Sequence, residues 1–330
     1  MNKKYKVAIV GCTGLVGRTV LKILEEKKLY NLNYFLFSSK KSSGTKLKFF
    51  DNDYIVCELN EESFDLQFDY AIFCAGGKVS SKYIPIAVSK GCICIDNSSI
   101  YRMNTEVPLI VPEVNLNELN NHKGIIANPN CSTIQAVVPL KILDDMYNIK
   151  RIVYSTYQAV SGAGKFGIED LENKNSGDDL KKFPYSIYNN CIPHIDIFEN
   201  DGYTKEEYKL INETRKILNR PNLPITATAV RVPIINCHGE SINIELEKDF
   251  DLYEIRMLLQ NSPGIVVTDN PEKNHYPLAS KVNGSNDIFV GRIRRDFSVK
   301  NGINLWIVAD NLRKGAATNA VQILEKLIQK

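Results

Sequence analysis

The 330-residue chain is 44% hydrophobic and 24% charged, which excludes disorder over its whole length. Its 41 basic and 38 acidic side chains leave a net charge of +3, less than a broad basic surface for nucleic acid would need. No apolar run approaches a membrane span, and the length favours two domains.

The start, Met1–Val10, is basic and then apolar like a secretion signal, but Gly11, Thr13 and Gly14 break it at once. It reads instead as a strand, Lys6–Val10, of a cytoplasmic protein with reduced thiols. Leu15–Lys28 has Leu15, Val16, Val20, Ile23 and Leu24 at helical spacing. Tyr34–Phe37, Tyr54–Cys57 and Tyr70–Cys74 read as further strands. Tyr83–Lys90 reads as a helix that Gly91 stops. Cys92–Ile95 and Gly124–Ala127 are again strands. This alternation predicts a parallel sheet with helices on both faces.

A helix is expected over Cys131–Tyr147, and then the texture changes. Arg151–Gln158, Ile225–Val232, Ser241–Glu247, Ile288–Arg294 and Asn304–Ala309 alternate with period two, as in an antiparallel or mixed sheet with one covered face. Gly291 offers a bulge there. Helices are expected at Lys205–Leu218, Leu252–Gln260 and Lys314–Lys330. The fold class is therefore α/β: a nucleotide-type domain over 1–130 and an α+β domain over 131–311. The closing helix, 312–330, is expected to return to the first domain.

The eight cysteines include no CxxC pair, so neither a zinc ribbon nor a dithiol is expected, and no metal site is assigned. Cys57, Cys74, Cys92 and Cys94 sit in or beside apolar stretches and read as small core residues.

Gly11-Cys12-Thr13-Gly14-Leu15-Val16-Gly17 lies between the first strand and helix. Glycines there let a backbone approach a pyrophosphate whose charge rests on the helix N-terminus. The alternative is a tight turn without ligand. The second strand ends in Ser38-Ser39-Lys40-Lys41 rather than an acidic residue, which suits the 2′-phosphate of NADP better than NAD. A solvated basic loop is the plainer reading.

Asn128-Pro129-Asn130-Cys131-Ser132-Thr133 leaves a strand and opens a helix. A thiol there is near free N–H groups and the positive end of the dipole, which favour thiolate. A buried structural cysteine fits the same position. Four histidines could partner it: His122 and His275 lie in polar loops, and His194 follows Pro193. His238 shares a connection with Arg231, where the two could hold a carboxylate and move a proton; a turn histidine with a surface arginine is the plainer reading. Glu213 and Lys216 stand three apart on the flank of a helix, which also suits an ordinary surface ion pair.

With these residues in view, the chain resembles the bacterial type of aspartate-semialdehyde dehydrogenase. The blocks GCTGLVG, FSSKKSSG, DNSSIYRM, VPEVN, NPNCST, STYQAVSGAG, NETRKI, RVPIINCHGES and DNLRKGAATNAVQI run in order over residues 11 to 323. The resemblance implies a Rossmann-type domain followed by a catalytic and dimerisation domain, as in glyceraldehyde-phosphate dehydrogenase. It implies NADPH-dependent reductive dephosphorylation of 4-phospho-L-aspartate to L-aspartate 4-semialdehyde through a cysteine thioester. Cys131 would be the nucleophile, His238 the acid/base and Gln158 the orienting amide. Arg231 would bind the substrate carboxylate and Glu213 its amino group, while Arg102 and Lys216 would bind phosphate beside Asn130. Gly11, Thr13, Gly14, Leu15, Val16, Ser38, Ser39, Ser161, Gly162 and Asn311 would line NADP. The expected partners are small molecules, inorganic phosphate and a second copy of the chain, with no nucleic acid and no membrane.

Cys12, Lys40 and Cys237 depart from the family's commonest wording. Cys237 puts a second thiol next to His238 and raises the possibility of oxidation with Cys131. N-acetyl-glutamyl-phosphate reductase is the nearest rival, but its usual glycine before and tyrosine-proline after the cysteine are absent. An inactive dinucleotide-binding sensor would be favoured only if thiol, histidine or arginine were missing.

Overall fold

A computed structural model describes residues 4–329. Two units emerge, Met1–Pro129 with Ala316–Lys330, and Asn130–Gly315. In chain order the first unit holds β1 (Lys6–Val10), α1 (Leu15–Glu26), β2 (Asn33–Ser38), β3 (Lys46–Phe49), β4 (Asn52–Ile55) and β5 (Cys57–Glu58). It continues with β6 (Tyr70–Phe73), α2 (Gly77–Ser89), β7 (Ile93–Asp96), α3 (Pro112–Asn115) and β8 (Ile125–Ala127). The second unit holds α4 (Cys131–Tyr147), β9 (Ile149–Gln158), α5 (Lys165–Glu172), α6 (Lys205–Ile217), β10 (Ile225–Arg231) and β11 (His238–Leu246). Then follow α7 (Leu252–Gln260), β12 (Ile265–Val267), α8 (Ala279–Val282), β13 (Ile288–Asp296) and β14 (Gly302–Ala309). The last helix, α9 (Asn319–Ile328), belongs to the first unit.

The first unit's main sheet runs β5-β2-β1-β6-β7-β8, all parallel, and its order reverses between β1 and β6. Both faces are covered, so its strands read as apolar runs rather than alternations. In β1, Val7 and Ile9 join a core with α1 and α9, while Ala8 and Val10 join another with Ile84 and Ala87 of α2. A ligand loop belongs at the carboxyl ends of such strands, beside the order reversal. Gly11–Gly14 lies there.

The second unit's sheet runs β10-β9-β11-β14-β13-β12 and is mixed: β9–β10 and β12–β13 are parallel, and the inner pairs are antiparallel. Helix α4 packs on β9, β11 and β14, and α6 packs on β10 and α4. A capping box starts α6, with Thr204 Oγ1 accepting from Glu207 N–H and Glu207 answering to Thr204 N–H. The pairing of β13 shifts between Gly291 and Arg294, at the bulge expected from Gly291.

Several expectations need correction. Tyr54–Cys57 is not one strand: Asn52–Ile55 turns back on Lys46–Phe49 as a hairpin, and only Cys57–Glu58 joins the edge of the parallel sheet. Cys57 is therefore exposed rather than core, whereas Cys92 and Cys94 are buried and Cys74 is half-buried. Helix α2 starts at Gly77, two turns before Tyr83, where glycine, lysine and serine hide the apolar period. The closing segment is π-helical over Arg313–Thr318 and α-helical only from Asn319, and Lys330 lies outside the described residues, as do Met1–Lys3 of the basic start. Among the described residues no helix is long and apolar enough to cross a membrane.

Candidate active site

Cys131 is the first residue of α4, and Asn130 caps that helix. The Asn130 side-chain oxygen accepts from the N–H groups of Ser132 (3.0 Å) and Thr133 (3.3 Å). Cys131 Sγ lies 3.2 Å from His238 Nε2, across 107 residues of sequence. Gly315 closes in from the other end of the unit: a Cβ there would stand 2.8 Å from Cys131 Cβ. Only glycine permits that approach, and it sits in the π-helical turn, a distortion common at functional sites.

His238 does not lie in a connecting turn, as the sequence suggested, but opens β11 and is fully buried. Its Nδ1 accepts from Ala159 N–H at 3.0 Å. In a neutral imidazole the proton must then be on Nε2, facing the sulfur. Burial, and then the Arg231 charge, push its pKa down to about 3, so the ring is neutral at physiological pH. Arg231 ends β10 and is buried too, with Nη1 donating to Ala159 O at 2.6 Å. Its Nε is buried without a hydrogen-bond partner among the described residues, a free donor suited to an anionic group. Gly162 leaves room for both, since a Cβ there would reach within 3.2 Å of Arg231 Nη1 and 3.4 Å of His238 Nε2.

Gln158 ends β9, directly beside Arg231 in the β9–β10 register. Its Nε2 donates to Glu206 Oε1 at 3.0 Å, and the same oxygen accepts from Asn130 Nδ2 at 2.9 Å. Glu213, on the same face of α6 as Glu206, accepts Asn130 N–H at 2.6 Å. Glu213 is 1% exposed, which rules out the surface ion pair. Lys216, one turn on, is half-buried, and burial lowers its pKa against the opposing Glu213 charge.

Next to Ser132 and Gln135 lies another buried acid. Glu240, two residues after His238 on β11, is fully buried, and burial raises its pKa well above the carboxylate range. Ser132 and Gln135 approach it and oppose that shift, yet neither Glu240 oxygen has a well-formed hydrogen bond among the described residues. The Cys237 side chain packs elsewhere, in a cluster with Val282 and Val308. Its backbone has φ +73°, and its N–H donates to Asn311 Oδ1 at 2.9 Å. Asn311 also bonds Ser161 Oγ at 3.0 Å, so these two proposed cofactor residues hold each other within the second unit.

In the first unit, Gly11 N–H donates to Phe37 O (2.8 Å), and Thr13 Oγ1 meets Ser38 Oγ (2.7 Å). Gly11 has φ +85°, and a Cβ there would stand 2.8 Å from the Cys74 carbonyl; at Gly17 it would stand 2.2 Å from Gly11 O. Gly14 is the N-cap of α1 and has no side chain to cap it, so among the described residues the first turn, with Leu15 and Val16, carries no side-chain cap. Ser39, Lys40 and Lys41 are exposed beyond β2. Arg102 is buried in this unit, with Nε donating to Asn128 O and Nη2 to Asn97 O, each at 2.9 Å.

The fold thus brings Asn130, Cys131, Gln158, Gly162, Glu213, Arg231 and His238 together in the second unit. It gathers Gly11, Thr13, Gly14, Leu15, Val16, Ser38 and Ser39 in the first. Sequence reasoning missed Glu206, Glu240, Gly315 and the Ala159 N–H. The expected strand began at Ser241, one residue too late; extended back in phase with Ile242 and Ile244 it would have turned Glu240 inward. Nothing in the sequence singles out the other three.

Residues 6–122 match a family model described as semialdehyde dehydrogenase, NAD binding domain, and residues 140–314 match one described as semialdehyde dehydrogenase, dimerisation domain. The aspartate-semialdehyde dehydrogenase of Aquifex aeolicus is 50% identical over 334 residues, covering 98% of both chains. That of Bacillus subtilis is 45% identical, covering 99% of this chain and 98% of its own. A crystal structure of aspartate semialdehyde dehydrogenase II from Vibrio cholerae, complexed with ASA, superposes with a TM-score of 0.95 at 40% identity, over 100% of this chain and 99% of that one.

Proposed function

This chain belongs to the aspartate-semialdehyde dehydrogenase family, and from that premise we propose that Cys131 carries its chemistry as an acyl-accepting thiolate, with NADP as the nicotinamide cofactor. The observation that carries the reading is the 3.2 Å contact between Cys131 Sγ and His238 Nε2 at the start of α4.

The glycine loop fits the cofactor. A Cβ at Gly11 or Gly17 would collide with neighbouring backbone, so the glycines let the strand turn tightly into α1, whose uncapped first turn offers N–H groups to a pyrophosphate. Ser38, Ser39 and Lys40 suit a 2′-phosphate, and no acidic side chain ends β2 to hold a bare ribose. When bound, NADPH supplies the hydride that reduces the acyl carbon.

The chain's own residues do the rest. Cys131 sulfur bonds the acyl carbon of 4-phospho-L-aspartate as the acyl–oxygen bond breaks and phosphate leaves, with Lys216 as its cationic acceptor in this unit. Arg231, through the buried Nε, holds the substrate carboxylate, and Glu213 takes its amino group. The Nε2–H of His238 faces the reacting centre as a donor to sulfur and to the oxyanion that forms on the reduced thioester. Collapse of that oxyanion gives the aldehyde and returns the electron pair to Cys131 as thiolate, so two smaller barriers replace one. The match to a dimerisation domain supports a homodimer.

The test is absorbance of reduced cofactor with L-aspartate 4-semialdehyde, phosphate and NADP, with NAD and N-acetyl-glutamate semialdehyde in parallel. Turnover with the first set, and much less with the substitutes, is expected. Preference for N-acetyl-glutamate semialdehyde, or no turnover, would overturn the reading.

A further inference from the structure

We propose that Glu206 is a positioning residue of this site: it fixes the side-chain amides of Asn130 and Gln158 so that both present N–H groups, leaving the second Gln158 N–H for the substrate. The inference rests on the dehydrogenase reading above and assigns a role to a residue outside the reacting set.

The capping box at Thr204 fixes the start of α6, which turns Glu206 and, two turns later, Glu213 to the same buried flank. Glu206 is 5% exposed, and both ends of its carboxylate are engaged. Oε2 takes Lys209 Nζ at 3.0 Å, and Lys209 also pairs with Asp196 at 2.7 Å. Oε1 accepts from Asn130 Nδ2 at 2.9 Å and Gln158 Nε2 at 3.0 Å.

Burial opposes ionisation of Glu206, but Lys209 and the two amides outweigh it and hold its pKa at about 2. An ionised carboxylate only accepts, so each amide must turn its NH2 toward it. The opposite ends agree. Asn130 Oδ1 accepts from the first turn of α4, and Gln158 Oε1 accepts from Thr156 Oγ1 at 3.2 Å. A flipped Gln158 would set its oxygen against the carboxylate. One charge on α6 therefore orients the cap of the cysteine helix and the tip of β9 together.

Glu206→Gln removes the obligate acceptor while keeping the shape. It is expected to lower kcat about 100-fold, the scale of a lost oxyanion donor, with KM changed by less than about threefold. In a Gln158→Ala background the same substitution should cost at least about threefold less in kcat than in the native chain, because one of the two amides it orients is gone and only Asn130 remains. Glu206→Asp, which keeps the Lys209 pair but is too short to reach both amides, should fold and show the same kcat loss. A native-like kcat in Glu206→Gln, or an undiminished loss in the Gln158→Ala background, would overturn the proposal.

Native turnover tests the dehydrogenase reading separately. Proton exchange of the Gln158 side-chain amide, followed by nitrogen-15 NMR, reports on Glu206 without any turnover. It should be slow in the native chain and fast in Glu206→Gln, and equal rates would contradict the role.

Discussion

His238 shows how much one backbone N–H can decide. Ala159 holds Nδ1 as an acceptor, so the exchangeable proton stands on the side of the sulfur. The ordinary value of 6.5 falls to about 3 in the fold. Between these values the unfolded chain binds a proton that the folded chain refuses, so stability rises with pH across that window. Glu206 acts in the same direction, but between about 2 and 4.5. Urea unfolding at about pH 5 and pH 7 should therefore show a shallower pH slope in His238→Asn than in the native chain. An identical slope would mean that the ring is not held neutral. Glu240 has the opposite sign, because its folded pKa is raised and the stability it contributes is lost as pH rises above 4.5. Glu240→Gln is expected to be more stable than the native chain at about pH 8 and no more stable at about pH 4. Equal stabilities at the higher pH would show that Glu240 is ionised with a partner. Cys131, Arg231 and His238 stood out as candidates because a thiol opens a helix and a histidine shares a connection with an arginine, but plainer readings fitted them equally and only the family resemblance gave them roles. Glu206 did not stand out, because an acid in the first turn of a helix is ordinary and its partners lie 48 and 76 residues away.

Elements bring the chemistry to close quarters. Helix α4 and the π-helical turn approach until a methyl group on Gly315 would collide with Cys131. Gly315→Ala must push one of them aside, costing about 1–3 kcal/mol of stability as an overpacked contact. Its kcat should fall at least about tenfold, since a small displacement of a reacting atom is costly. A thermal melt with a turnover assay would show both, and native-like values would mean that the turn yields freely. The parallel strands of the first unit were readable because burial on both faces makes them continuous apolar runs. The hairpin of β3 and β4 escaped because its four-residue strands are polar and half exposed. Helix α2 was cut short for a different reason: its first turn buries a serine rather than an apolar residue, with Ser80 donating to Asp96 at 2.7 Å.

Across the whole molecule, two kinds of sheet serve two tasks. The parallel sheet of the first unit presents a glycine loop at its strand ends. The mixed sheet of the second unit presents Gln158, Arg231 and His238 from the ends of three neighbouring strands. That division was visible in the change from apolar runs to period-two alternation, whereas the convergence of those three ends was not, because strand order is set by packing rather than local pattern. Ser39→Asp, placing a carboxylate beyond β2 beside Lys40, should shift the NADP-to-NAD ratio of kcat/KM at least about tenfold toward NAD. An unchanged ratio would move the 2′-phosphate site elsewhere.

The decisive measurement is intact-protein and peptide mass spectrometry after mixing the chain with 4-phospho-L-aspartate in the absence of reduced cofactor. One aspartyl group on the peptide containing Cys131, absent from Cys131→Ser along with turnover, is the predicted result. An aspartyl group on another residue, or sustained turnover in Cys131→Ser, would contradict the thioester.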